Sequence, residues 1–307
     1  MKLILEMLLL AFGFVLLVKG AVWFVDGASG SAVKLRIPQL VIGLTIVAMG
    51  TSAPEAAVSI SAALKGSADI TIGNIVGSNI LNILIILGLA SAIVPIAVAK
   101  STIRVDIPFL LLITGVLLAL GWDATITLFD GLIMLVLFAA YLGYLLYMAK
   151  KVGEEGEEIR DMNLWQAMLY TVIGLVLIVW GADVAVDAAT SLARIFGLSE
   201  RFIGLTVVAL GTSLPELFTS VTAARKGNAD IAIGNIVGSN IFNILFVVGL
   251  SAMIVPVPFT PNFRIDTIVA ISAGVMLLLC SLRQKKLVRW HGIAMLLGYG
   301  IYFLYLL

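Results

Sequence analysis

The chain has 307 residues, of which 61% are hydrophobic types and 12% charged, with a net charge of +1. Soluble domains carry about 25% charged residues, so a soluble core with one anchor is excluded. The near-neutral balance leaves no basic face for nucleic acid. The lone Cys280 and lone His291 exclude an internal disulfide and a multi-histidine metal site. At about 20 residues per span, the apolar runs predict an all-α polytopic membrane protein with ten transmembrane helices. They fall near residues 4–30, 38–64, 69–95, 105–121, 125–149, 164–193, 200–224, 230–256, 265–282 and 289–306.

In chain order, the first run follows Lys2, is interrupted by Glu6 and is followed by no Ala-x-Ala site, so it reads as a membrane helix rather than a cleaved signal. Lys19 within it is expected to snorkel, and Asp26 near its end to serve a structural or interfacial role. The second run carries Ile-Gly-Leu-Thr-Ile-Val-Ala-Met-Gly-Thr-Ser-Ala-Pro-Glu over 42–55. The third carries Asp-Ile-Thr-Ile-Gly-Asn-Ile-Val-Gly-Ser-Asn-Ile-Leu-Asn-Ile-Leu over 69–84, with Asp69 as its expected cap. Asp106 beside Arg104 reads as an interface anchor of the fourth. After the fifth comes the one long polar stretch, 150–163, with Glu154, Glu155, Glu157 and Glu158. It is expected to be a solvated cytoplasmic linker.

Beyond the linker the chain repeats itself at an offset of 161 residues. Residues 203–216 match 42–55 at eleven of fourteen positions, and 230–245 match 69–84 at fourteen of sixteen. Asp26 and Asp187 also match, as do Asp69 and Asp230, and Asp266 stands beside Arg264 as Asp106 stands beside Arg104. The chain therefore divides into a first five-helix repeat at 1–149, with a motif at 41–84, and a second at 164–307, with a motif at 202–245. Five spans per half is an odd number, so the second repeat enters the membrane inverted, as in secondary transporters. With the N-terminus outside, thirteen Lys and Arg residues lie on the inner side and five on the outer. The positive-inside rule then places both termini outside.

Glu55 and Glu216 stand in the middle of apolar spans. An ionisable group there costs about 2.5–3.5 kcal/mol on insertion scales and faces a polar cavity. Pro54 and Pro215 remove an amide hydrogen beside each, and bare backbone at membrane depth is tolerated where it lines a cavity. Thr51, Ser52, Thr212 and Ser213 add hydroxyls. On the second motif Ser78 and Asn82, and Ser239 and Asn243, lie four apart on one helical face. Asn79 and Asn240 fall on another face. The paired glycines Gly73, Gly77, Gly234 and Gly238 read as close helix packing. Hard oxygen donors without Cys or His select hard cations. Calcium, with six to eight flexible oxygens, fits better than magnesium, and sodium fits the hydroxyl and amide oxygens.

The doubled Gly-Thr-Ser-x-Pro-Glu and Gly-Asn-x-x-Gly-Ser-Asn segments resemble the alpha-repeats of the calcium/cation antiporter superfamily, above all its prokaryotic sodium/calcium exchangers. The resemblance spans the whole chain. It implies a core of helices two, three, seven and eight, with helices one and six sliding across it, and calcium extruded for entering sodium. It also implies ion ligands at Glu55, Glu216, Thr51, Ser52, Thr212, Ser213, Ser78, Asn82 and Ser239, with the carbonyls of Ala48 and Ala209. Asn243 stands where such exchangers often have aspartate, which removes a third carboxylate and leaves proton- or potassium-coupled exchange as the alternative. Gly77 and Gly238, where the proton-coupled branch has glutamate, argue against that branch.

The rival classes are a cation channel and an intramembrane hydrolase. The hydrolase would need a base beside Ser52 or Ser213, and none is apparent. The expectation is thus a transporter with no prosthetic group and no protein partner, resident in the cytoplasmic membrane, whose partners are calcium, sodium and the lipid bilayer.

Overall fold

The computed structural model describes residues 2–65, 68–151, 162–197 and 209–306, with the backbone alone at residues 2, 69, 151 and 209. The linker acids Glu154 to Glu158, the Asp69 side chain and the start of the second motif lie outside the described part. Helix α1 (Lys2–Leu35) is followed by α2 (Gln39–Thr51) and α3 (Ala53–Leu64), which meet at 50°. Then come α4 (Ile70–Ile93), α5 (Thr102–Asp123) and α6 (Leu128–Lys151). The second half holds α7 (Leu164–Ile195), the short α8 (Ala209–Thr212), α9 (Leu214–Arg225), α10 (Ala229–Ile254), α11 (Pro261–Gln284) and α12 (Arg289–Leu306).

Seven of these are long and apolar enough to cross a membrane, and the bent pair α2–α3 makes an eighth. The expected ten spans are therefore not reached among the described residues. The run expected at 200–224 is described only from Ala209, as α8 and α9. Helix α12 has 18 residues but opens with Arg289 and His291, which shortens its apolar stretch.

Burial sorts the helices. The most apolar windows of α4 and α10 are 78% and 94% buried, whereas those of α1, α5, α6, α7 and α11 are 22–39% buried. A helix that is apolar on all sides and still exposes large side chains, as α1 does at Ile4, Leu8, Val15 and Val18, has a surface suited to lipid. The two enclosed helices are the ones that carry the asparagine-rich motifs.

Helix α1 packs lengthwise on α7, backbone against backbone. A Cβ on Gly13 would lie 2.9 Å from the Gly181 carbonyl, and one on Gly20 2.9 Å from the Gly174 carbonyl. Gly13 and Gly174, and Gly20 and Gly181, are partners at the 161-residue offset, so one contact occurs twice with the halves exchanged. Close approach of this kind suits bilayer helices, where packing replaces the hydrophobic drive.

Two short antiparallel ladders obey the same exchange. Strand β1 (Ile96–Ala97) pairs with β4 (Lys286–Leu287), and β2 (Thr125–Ile126) with β3 (Val257–Pro258). Each ladder ties a connection of one half to a connection of the other.

Two expectations for acidic residues change. Asp106 is fully buried and accepts a hydrogen bond from the Tyr141 hydroxyl at 3.0 Å, so it anchors α5 to α6 inside the protein rather than at an interface. Asp266 is held likewise by Tyr302 at 2.9 Å. Asp230 sits inside the first turn of α10, whose cap position is Asn228 with no side-chain cap bond. Its charge there suits the helix N-terminus.

Candidate ion-binding site

The α2–α3 joint follows from its own sequence. Pro54 offers no amide hydrogen, and the helix breaks at Ser52 (φ −84°, ψ 7°). The same break falls at Ser213 (φ −93°, ψ 6°), before Pro215. Glu55 and Glu216 consequently stand in the first turns of α3 and α9, where free helix amides favour a carboxylate. Both are buried, at 1% and 0% exposure.

The halves exchange donors across the joint. The Ser52 hydroxyl donates to Glu216 Oε1 at 2.8 Å, and the Ser213 hydroxyl donates to Glu55 Oε1 at 3.3 Å. The Thr51 hydroxyl donates to Asn235 Oδ1 at 2.9 Å, and the Ser239 hydroxyl to the Ala48 carbonyl at 3.3 Å. Close packing of α2 on α10 brings these groups together. A Cβ on Gly234 would lie 3.0 Å from Gly43 Cα, and one on Gly238 would lie 2.7 Å from the Leu44 carbonyl. The packing role expected of Gly234 and Gly238 is therefore met. Gly73 has only ordinary contact with the Phe263 ring at 3.5 Å.

Asn82 and Asn243 open matched wide turns of π geometry, Asn82–Leu87 and Asn243–Val248. Helix α9 packs on the first turn and α3 on the second, so each turn faces the glutamate helix of the other half. Such wide turns are frequent at functional sites.

Among the described residues, four oxygens of this cluster are buried without a hydrogen-bond partner: Glu55 Oε2, Glu216 Oε2, Asn82 Oδ1 and Asn243 Oδ1. An unpaired buried polar atom costs about 1–3 kcal/mol, more when charged. Four in one cluster, two of them on carboxylates, constitute a site short of positive charge.

The cluster does not gather every expected residue equally. Thr212 is half-buried and lines a cavity of about 580 Å³ with Pro54, Gly211, Asp183 and Asp187. Ser78 is buried, and its hydroxyl has no hydrogen bond among the described residues. Ala209 is placed by its backbone alone, at the start of α8.

Further polar groups support the cluster from behind. Asn74 Nδ2 donates to Ser59 Oγ at 2.9 Å and to the Glu55 carbonyl at 3.2 Å. Asn235 Nδ2 donates to Ser220 Oγ at 2.9 Å and to the Glu216 carbonyl at 3.4 Å. Ser59 and Ser220 escaped sequence reasoning. Their identity at the 161-residue offset, inside apolar helices, was the available signal.

An apolar helical bundle closed round a buried cluster of oxygen donors has the form of a membrane transporter for a hard cation. Known proteins agree. The pattern of the family described as sodium/calcium exchanger protein matches residues 5–147 and 166–307, and the chain belongs to that family. It is 37% identical to inner membrane protein YrbG of Escherichia coli K12, over 96% of this chain and 94% of that one. It is 31% identical to sodium/calcium exchanger MaX1 of Methanosarcina acetivorans, over 95% of each. Its fold matches the sodium-calcium exchanger NCX_Mj soaked with zero Na+ and Ca2+, with a TM-score of 0.88, 32% identity, and coverage of 99% of this chain and 100% of that one. The protein is thus a multi-pass membrane transporter of the cation/calcium antiporter class, not an enzyme.

Proposed function

We propose that the protein exchanges calcium for sodium across the cytoplasmic membrane by alternating access around one midplane site. The proposed architecture has two inverted five-helix repeats, 1–149 and 164–307, joined by a cytoplasmic linker at 150–163, with both termini outside. The proposed ligands are Glu55 and Glu216, the groups of Thr51, Ser52, Thr212, Ser213, Ser78, Asn82, Ser239 and Asn243, and the carbonyls of Ala48 and Ala209.

The observation that carries this reading is the set of four unpartnered oxygens. Two carboxylates balance the charge of one calcium ion, and amide oxygens complete a flexible oxygen shell. Sodium ions compete for the same carboxylates and hydroxyls. Without a cation the two carboxylates are buried with no compensating charge, which is costly in a closed cavity. Reorientation therefore requires a loaded site, and this requirement couples the two fluxes.

The test is calcium flux in proteoliposomes with sodium, potassium and proton gradients imposed separately. Uptake driven by the sodium gradient alone is expected. Uptake driven only by protons or potassium overturns the sodium assignment. Uptake that neither saturates nor needs an ion on the far side replaces the antiporter with a channel.

A further inference from the structure

An asparagine presents either its oxygen or its NH2 to a site, and the two orientations differ by half a turn of the amide. Asn82 and Asn243 open turns that pack on the helices of Glu216 and Glu55, and their oxygens are buried without a partner among the described residues. Turned over, each would present in that place an NH2, which cannot ligate a cation. The partners of the two NH2 groups oppose that rotation. Asn82 Nδ2 donates to Asn240 Oδ1 at 2.9 Å, and Asn243 Nδ2 donates to Asn79 Oδ1 at 3.2 Å. Asn240 and Asn79 are themselves fixed. Asn79 Nδ2 donates to the Asn240 carbonyl at 3.1 Å, and Asn240 Nδ2 donates to the Asn79 carbonyl at 3.1 Å. All four side chains are at most 3% exposed, so bulk solvent is held away from these bonds.

We propose that Asn79 and Asn240 are positioning residues that hold the amide oxygens of Asn82 and Asn243 toward the transported ion. The proposal rests on the ion site described above. A flipped Asn82 would set its oxygen against Asn240 Oδ1, and a flipped Asn243 would set its oxygen against Asn79 Oδ1. Neither bracket can turn to relieve this without losing its bond to the opposite backbone.

A carboxylate at position 243 would have oxygens on both sides and nothing to flip, which gives a double-mutant test. Asn79→Ala is expected to weaken calcium binding to the purified protein about tenfold in the natural background and less than threefold in an Asn243→Asp background. Asn240→Ala with Asn82→Asp forms the mirror cycle and stands in where an Asn79 variant fails to fold. Equal losses in both backgrounds, or no loss in the natural one, overturn the proposal, because a mere packing role adds independently. Glu216→Gln is the control. Retained binding there would remove the site itself, whereas additive asparagine losses with Glu216 still essential remove only the bracket.

A second inference rests on the periphery. Lys226 Nζ, just past α9, binds Asp26 Oδ1 of α1 at 2.6 Å and the Val22 carbonyl at 3.3 Å. At the 161-residue offset Lys226 corresponds to Lys65 and Asp26 to Asp187. Those two have no ion pair among the described residues. Asp187 lines the 580 Å³ cavity, and Lys65 lines a neighbouring one that shares Ala57 and Val58. We infer that Lys226–Asp26 fastens one face closed while the other is open, and that Lys65–Asp187 takes its place after reorientation.

Releasing a part-exposed pair shifts the two states by about two- to fivefold. Calcium affinity is measured separately from each face of oriented vesicles. Lys226→Ala should strengthen it on the Asp26 face and weaken it on the other, and Lys65→Ala should do the reverse. Shifts of the same sign in both variants, or none, overturn the exchange, whether or not sodium drives transport.

Discussion

The sharpest consequence of the site concerns Glu216→Gln. The substitution keeps the side chain's shape and the acceptor for Ser52 at 2.8 Å, and it removes one of two buried carboxylates. Taking one charged partner from a desolvated pair costs about 2–5 kcal/mol of binding. At 1.36 kcal/mol per decade that is a loss of roughly 30-fold to several thousandfold in calcium affinity. Fold stability should move the other way. Without an ion the two carboxylates are buried and uncompensated, so neutralising one removes a burden instead of a support. Calcium titration and thermal unfolding of the same detergent-purified protein separate the two effects. Affinity should collapse, while the unfolding midpoint without calcium stays level or rises. Calcium protection against unfolding should vanish with the affinity, since a ligand stabilises only the state it binds. Affinity within threefold of the natural protein would refute the assignment. A fall in the ion-free midpoint would show that Glu216 has a compensated structural partner, contrary to its orphan Oε2.

Three other substitutions probe separate parts of the structure. Gly20→Val would drive a side chain into the α7 backbone, where its Cβ alone would lie 2.8 Å from Ile178 N, so a loss of about 1–3 kcal/mol in stability is expected, read as a lower unfolding midpoint. Tyr141→Phe strips a buried hydrogen bond from Asp106 Oδ1 beside an Oδ2 that lacks one among the described residues, and should cost about 1–3 kcal/mol of stability with calcium affinity unchanged, checked by unfolding and titration in parallel. Pro215→Ala restores an amide and a better helix former at the break. It should leave stability level or higher yet weaken calcium binding about tenfold, because the first turn of α9 would realign and carry Glu216 with it.

The repeat made much of this legible in advance. Two copies of one motif identify positions that need the same residue twice, and Glu55, Ser52, Asn82 and their partners were found that way. What the sequence could not convey was connectivity. Ser52 is three residues from Glu55, yet its hydroxyl goes to Glu216, on the far half of the chain. Asn79 was visible only as an asparagine on the wrong face. Its use depends on Asn240 meeting it head to head, which spacing along one helix does not report. The wide turns at Asn82 and Asn243 were invisible for a similar reason, since an apolar run has the same pattern in α and π geometry. Asp106 was misplaced because Arg104, two residues away, suggested an interface. The partner that counts, Tyr141, is 35 residues distant.

The exchange of donors also explains why the duplication is functional rather than redundant. Each glutamate carboxylate oxygen that has a hydroxyl partner receives it from the opposite repeat, and both amides that carry orphan oxygens are held by the opposite repeat. Neither half therefore contains a complete site. A cation bound between Glu55 and Glu216 would neutralise groups belonging to both halves at once, so its binding energy would act across the contact between them rather than within either. The long α1–α7 contact is of a different kind. Glycines bring the two backbones together there, and apolar side chains pack beside them, Phe12 against Trp180 and Trp23 against Tyr170 at ring-centroid distances of 5.9 and 5.7 Å. The polar centre is thus sensitive to charge, whereas the outer α1–α7 contact is apolar and is not.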